Sequence, residues 1–82
     1  MVYPNPTVEE LNVSLVEYAG HQGNLKIANA LGQILHDVSF DEIPTAPVHI
    51  ELNQTYQAGT YTIIVEVDGR KPVTKFFIVS KL

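Results

Sequence analysis

The chain has 82 residues, no cysteine and a net charge of −4; a single domain of this size must rest on its hydrophobic core, with no disulfide or thiolate metal site to help. Five Lys and Arg against nine Asp and Glu exclude nucleic acid and anionic membrane surfaces as partners, because both need a basic face. An apolar fraction of 45% is that of a globular domain, and no apolar run nears the ~20 residues of a membrane-spanning helix.

Met1-Val2-Tyr3-Pro4 has no basic segment and no apolar run, so no signal peptide is expected here. The chain then reads as cytosolic or as part of something longer. Pro4 and Pro6 each lack an N–H, which limits this opening to an edge strand or a linker. Leu11, Val13 and Leu15 alternate with Asn12 and Ser14, the pattern of a half-buried strand. Ala19 to Gly23 is a loop. Leu25 and Ile27 then alternate with Lys26 and Ala28. A helix over Lys26 to Leu31 is ruled out because Gly23 and Gly32 bracket it too closely.

Asn29-Ala30-Leu31-Gly32 has the chemistry of a type I turn followed by a bulge. The Asn side chain can bond the backbone ahead of it, and the Gly can take φ > 0. Ile34, His36, Val38 and Phe40 are predicted to share one face of the next strand, with Leu35, Asp37 and Ser39 on the other. Asp41 to Pro47 holds two prolines and is predicted to cross between sheets. Val48, Ile50 and Leu52 form a further alternating set. Asn53 to Gly59 is a loop, and Tyr61, Ile63, Val65 and Val67 alternate after it. Asp68-Gly69 signals a hairpin. In the last strand Val73, Lys75, Phe77 and Val79 share a face, while Thr74, Phe76 and Ile78 make the other apolar too. About seven short strands at ~8–12-residue spacing predict an all-β fold, an immunoglobulin-like antiparallel sandwich, in one domain over residues 1–82.

Chemistry is sparse. His21, His36 and His49 stand at no metal-ligand spacing with one another or with a carboxylate, so no metal is expected. Glu9-Glu10 and Asp41-Glu42 are adjacent pairs, and neighbours in a strand point to opposite faces rather than to one reacting atom. Ser14, Ser39 and Ser80 lack a nucleophile-elbow context, and the dispersed glycines form no phosphate cradle. No enzyme activity and no cofactor are expected. Asn12-Val13-Ser14 and Asn53-Gln54-Thr55 match the glycosylation triplet, which arises often by chance. Tyr3, Tyr18, Tyr56 and Tyr61 could form a carbohydrate-stacking face, but they are spread over four segments; Tyr61 reads better as a core tyrosine bonding a neighbouring loop. Ser80-Lys81-Leu82 matches the peroxisomal import tripeptide, or is simply a strand end.

Several landmarks recur together in one family. Tyr3-Pro4-Asn5-Pro6, Asn29-Ala30-Leu31-Gly32-Gln33, Gly59-Thr60-Tyr61 and Lys75-Phe76-Phe77-Ile78-Val79 followed by Lys81 occur in order. In these the chain resembles the type IX (Por) secretion system C-terminal sorting domain of Bacteroidetes, over essentially its whole length. Two departures stand out. Gln57 occupies a place where the family often has Pro, and Leu82 extends past the usual terminal Lys.

The resemblance implies an address label at the end of a larger exported protein, whose separate signal peptide takes it to the periplasm. The secretion machinery would read the folded domain and carry the protein to the outer-membrane surface or beyond. A sortase-like peptidase would cut upstream of Tyr3 and join the cargo to anionic lipopolysaccharide. Met1 is then an added start residue. The residues expected to be read are Lys75, Val79, Lys81 and Leu82, which include the two lysines near the end of an acidic chain. Pro4, Asn5, Pro6, Asn29, Leu31, Gly32, Gln33, Gly59, Tyr61, Asp68 and Gly69 are expected to shape the turns and core. The last strand, if at an edge, could also pair with a partner strand or with a second copy. The competing reading is a generic adhesion or carbohydrate-binding sandwich.

Overall fold

The computed structural model describes residues 2–3, 10–52 and 56–80. Pro4, Asn5, Pro6, the Asn53 triplet, Lys81 and Leu82 lie outside the described residues. Alternation becomes seven strands: β1 (Val2–Tyr3), β2 (Glu10–Val13), β3 (Gly23–Ala28), β4 (Ile34–Phe40), β5 (Val48–Glu51), β6 (Gly59–Val67) and β7 (Val73–Val79). They form two antiparallel sheets, one in the order β1-β2-β5 and one in the order β4-β3-β6-β7. Three strands against four is an immunoglobulin-like sandwich, as expected. Residues 41–47 carry the chain from β4 in one sheet to β5 in the other, the predicted crossing.

The core fills the space between the sheets. Leu11, Val13, Ile50 and Leu52 come from the smaller sheet and the residue following it. Leu25, Ile27, Tyr61, Ile63, Val65, Val67, Phe77 and Val79 come from the larger one. Each is the apolar member of an alternating pair, so the period of two delivers these side chains inward. Full burial of one such aliphatic side chain stabilises by ~1.5–3 kcal/mol.

Three features depart from the alternation. First, β2 stops at Val13, and residues Val16–Tyr18 make a single 3₁₀ turn closed by the Tyr18 N–H donating to the Leu15 carbonyl at 2.8 Å. Leu15 is still buried. Second, the phase of β4 slips. His36 lies opposite Ile27 and Ile34 opposite Ala28, so Leu35 is the extra residue of a β-bulge. Leu35 therefore packs against the core and Ile34 is exposed, the reverse of the expected faces for this pair. Third, Ile43 leaves the crossing segment to enter the core, held by the Ile43 N–H on the His21 carbonyl and the Gly20 N–H on the Ile43 carbonyl, both at 2.9 Å.

Ile43 explains Gly23. A Cβ at that position would stand 2.6 Å from the Glu66 carbonyl oxygen and 3.0 Å from Ile43 Cδ1. Only glycine lets β3 approach β6 so closely beneath this side chain.

Candidate functional site

The Asn29–Gln33 turn forms as its residues dictate. The Gly32 N–H donates to the Asn29 carbonyl at 3.0 Å, and Gly32 has φ +83°. Asn29 Oδ1 accepts from the N–H groups of Leu31 and Gln33, both at 3.0 Å. Its amide donates to Gln33 Oε1 at 2.7 Å. The Asn29 N–H closes the hairpin on the Gln33 carbonyl at 3.0 Å. With its polar groups engaged this way, the turn holds Leu31 out in solvent.

At the start of β6, Tyr61 is buried and its hydroxyl donates to the Gln57 carbonyl at 2.6 Å. That is the loop-bonding core tyrosine expected from sequence. The acceptor is a main-chain carbonyl, which proline also carries, so the departure at Gln57 leaves this bond available. Tyr61 stacks on Phe77 with ring centroids 5.4 Å apart, and Tyr56 packs against it at the same distance. Tyr56 and Tyr61 thus do converge, but inside the core, where neither can stack on a sugar. The Tyr56 hydroxyl is buried with no hydrogen-bond partner among the described residues, and burial, then the Tyr61 hydroxyl nearby, push its pKa above the ordinary 10.0. Tyr18 is half-buried, with the Arg70 guanidinium 5.6 Å from its ring centroid.

Strand directions decide which landmarks meet. β3 ends and β4 begins at the Asn29–Gln33 turn, β6 begins there with Gly59, and β7 ends there with Val79. Three of the four landmark segments therefore converge at one end of the larger sheet. Phe77 and Val79 point inward, whereas Phe76 and Ile78 are exposed on the outer face. Asp68 and Gly69 lie at the far end, in a turn closed by the Arg70 N–H on the Val67 carbonyl at 3.0 Å. Only Gly69 of that pair has positive φ, so this is not the type I′ hairpin, which needs both central residues there.

Lys75 stands apart from Val79. It lies opposite Ile63, exposed on the inward-facing row of β7, at the rim where the two sheets part. There it lines a water-sized crevice of about 20 Å³ with Val13, Leu15, Glu17, Tyr18 and Val73.

Charge gathers away from the convergent end. Lys26 pairs with Glu66 at 3.1 Å, and this hydrogen bond, with the attraction of the carboxylate, lifts the ammonium pKa above 10.5. Asn24 donates to Asp37 at 3.3 Å. An open polar groove beside them is lined by Asn24, Ser39, Asp41, Glu66, Asp68 and Arg70. On the smaller sheet His49 lies 3.2 Å from Asn12 Oδ1 and 3.6 Å from Glu10 Oε2. Among the described residues no three His, Asp or Glu side chains are grouped to hold a metal.

Comparison with known proteins gives one family. Residues 1–80 match the secretion system C-terminal sorting domain. The ulvan lyase NLR42 of Nonlabens ulvanivorans is 29% identical over 79 residues, a stretch that covers 96% of this chain and 14% of the lyase. The chain thus corresponds to a small part of that relative. No solved structure matches.

Proposed function

Because the chain belongs to the family of type IX secretion C-terminal sorting domains, we propose that its folded surface is what the export machinery reads on a cargo joined to its N-terminal side. A domain of this family is a signal that sends a larger protein out of the cell, and it is not itself catalytic. The observation that carries the reading is the family match over residues 1–80. The NLR42 relative, about seven times longer than its matched region, fits a tail on a larger protein.

The finer reading goes further. This chain performs no chemistry of its own. A sortase-like peptidase of the secretion system removes it upstream of Tyr3, leaving the cargo attached at the outer-membrane surface. Lys75, Val79, Lys81 and Leu82 contribute to recognition, the lysines by charge and Val79 by holding the end of β7 in the core.

The test is a reporter carrying a signal peptide at its start and this chain at its end, expressed in a type IX-competent bacterium. The reporter is expected outside the cell, and deletion of Val79 to Leu82 is expected to leave it in the periplasm. A full-length fusion retained in the periplasm contradicts the reading. Lys75→Glu with Lys81→Glu should block export and leave the melting temperature nearly unchanged, since Lys75 is exposed and an exposed charge contributes little to stability; undiminished export removes the electrostatic part.

A further inference from the structure

The outer face of the larger sheet is split along its length. In register, Ile34, Ala28, Thr62 and Phe76 form one row across all four strands. Ile78 lies opposite Thr60 in the next row toward the convergent end, and Leu31 stands on the turn beyond it. Four side chains here are large, apolar and exposed: Leu31 at 84%, Phe76 at 63%, Ile34 at 50% and Ile78 at 48%. Val16 is the only other large apolar residue so exposed among those described. In the opposite direction the next row is Asp37, Lys26, Ile64 and Thr74, where charge begins.

Among the described residues, the segments that build the apolar end carry no formal charge. Residues 27–36, 56–65 and 76–80 contain no Asp, Glu, Lys or Arg, in a chain with fourteen such residues. Phe76 and Ile78 share the outer face of β7, Ile34 lies on the opposite edge strand across buried Ala28 and half-buried Thr62, and no charge stands among the described residues of this end.

We infer that this face, with Phe76 and Ile78 on the edge strand β7, Ile34 on the opposite edge strand β4 and Leu31 on the turn between β3 and β4, is the docking surface for a protein subunit of the export machinery that presents an apolar, uncharged contact of its own. The inference rests on the sorting reading and names the part of the domain that is read. Charge complementarity selects the partner's chemistry. Among the described residues here there is no cation to bind a polyanion such as lipopolysaccharide, and a charged protein surface would be desolvated against this row without compensation.

Size selects a transient protein contact over a stable pair of copies. Four strands at ~4.8 Å spacing and two or three residue rows give roughly 200 Å². A stable interface needs about 800 Å² from each partner. A sorting signal must be bound and then released, and a small apolar contact suits that cycle.

The experiment compares the wild-type reporter fusion with Phe76→Thr/Ile78→Thr, Phe76→Leu and Leu31→Ser. Threonine keeps the β-branched preference for strand and removes the apolar contact. The double variant should lose at least tenfold in export with a melting temperature within about 3 °C of wild type. Phe76→Leu should keep at least half of the export, because it remains apolar. Leu31→Ser, on a turn and outside any strand, should lose at least threefold and guards against a folding defect in the double variant. Wild-type export of the folded double variant overturns the inference and leaves the sorting reading standing. Retention of the wild-type fusion fails both. Sedimentation of the purified domain should show a monomer, and a dimer dissolved by the double variant would assign the face to a second copy instead.

Discussion

Phe76 and Phe77 are neighbours on β7 and share one side-chain chemistry, yet one is 63% exposed and the other 0%. Phe77 lies opposite Tyr61 and stacks on its ring. Phe76 lies opposite Thr62, on the face that no described element covers. One strand therefore serves two purposes, with its inward row closing the core and its outward row presenting apolar surface. What separates folding from recognition in this account is the side of the strand rather than the type of residue.

The largest effects should fall on the inward row. Phe77→Ala should cost ~3–5 kcal/mol through lost burial and the cavity left behind, a large share of the ~5–10 kcal/mol available to a small domain. Phe76→Ala should change stability by less than ~0.5 kcal/mol. Urea denaturation of the two variants measures the contrast, and equal losses would break it.

The two ends of the larger sheet give the next test. At the end away from the landmarks, the packing of Gly23 beneath Ile43 leaves no room, so Gly23→Ala should destabilise by ~1–3 kcal/mol. At the landmark end the turn is held by the Asn29 side chain, and Asn29→Ala should cost ~1 kcal/mol, the net worth of its bonds in an exposed setting. A cost at Asn29 above that at Gly23 would reverse the order of the two ends.

The smallest effect is expected at Tyr56. Its hydroxyl is buried with no partner among the described residues, so Tyr56→Phe should shift stability near pH 7 by no more than ~1 kcal/mol. Its pKa lies above 10.0 in the folded state. The folded protein therefore keeps a proton that the unfolded chain releases first. The stability this contributes is whole below pH 10 and falls as pH rises through the raised value. Wild type should accordingly lose stability faster than Tyr56→Phe above about pH 10, read from thermal melts across that range. Parallel alkaline losses would remove Tyr56 from this role.

Much of the inside–outside contrast is legible from alternation. Leu11 and Val13, Leu25 and Ile27, and Tyr61, Ile63, Val65 and Val67 face inward as their period of two requires. The Asn29–Gly32 turn is legible because its chemistry is local. Leu35 and Ile34 exchange roles because the bulge is set by pairing with β3, which no window within β4 contains. Ile43 sits between an acidic pair and a proline, with no periodicity to mark it as core. For β7, alternation separates Phe76 from Phe77, but both faces read as apolar; only the register with β6, which sets Phe77 opposite the core residue Tyr61, tells which is covered. The same holds for the candidate site. Its motifs are visible one by one, whereas their meeting at one sheet end depends on strand directions fixed by long-range pairing.

The absence of cysteine from the chain opens the most direct measurement of the central claim, that β7 divides its faces between core and contact surface. Phe76→Cys and Phe77→Cys can each be labelled with a thiol reagent in the native state. The account predicts labelling at position 76 at the rate of an unfolded peptide, and protection at position 77 by at least ~100-fold, as expected where exposure needs a substantial opening of the core. Equal rates at the two positions would contradict it.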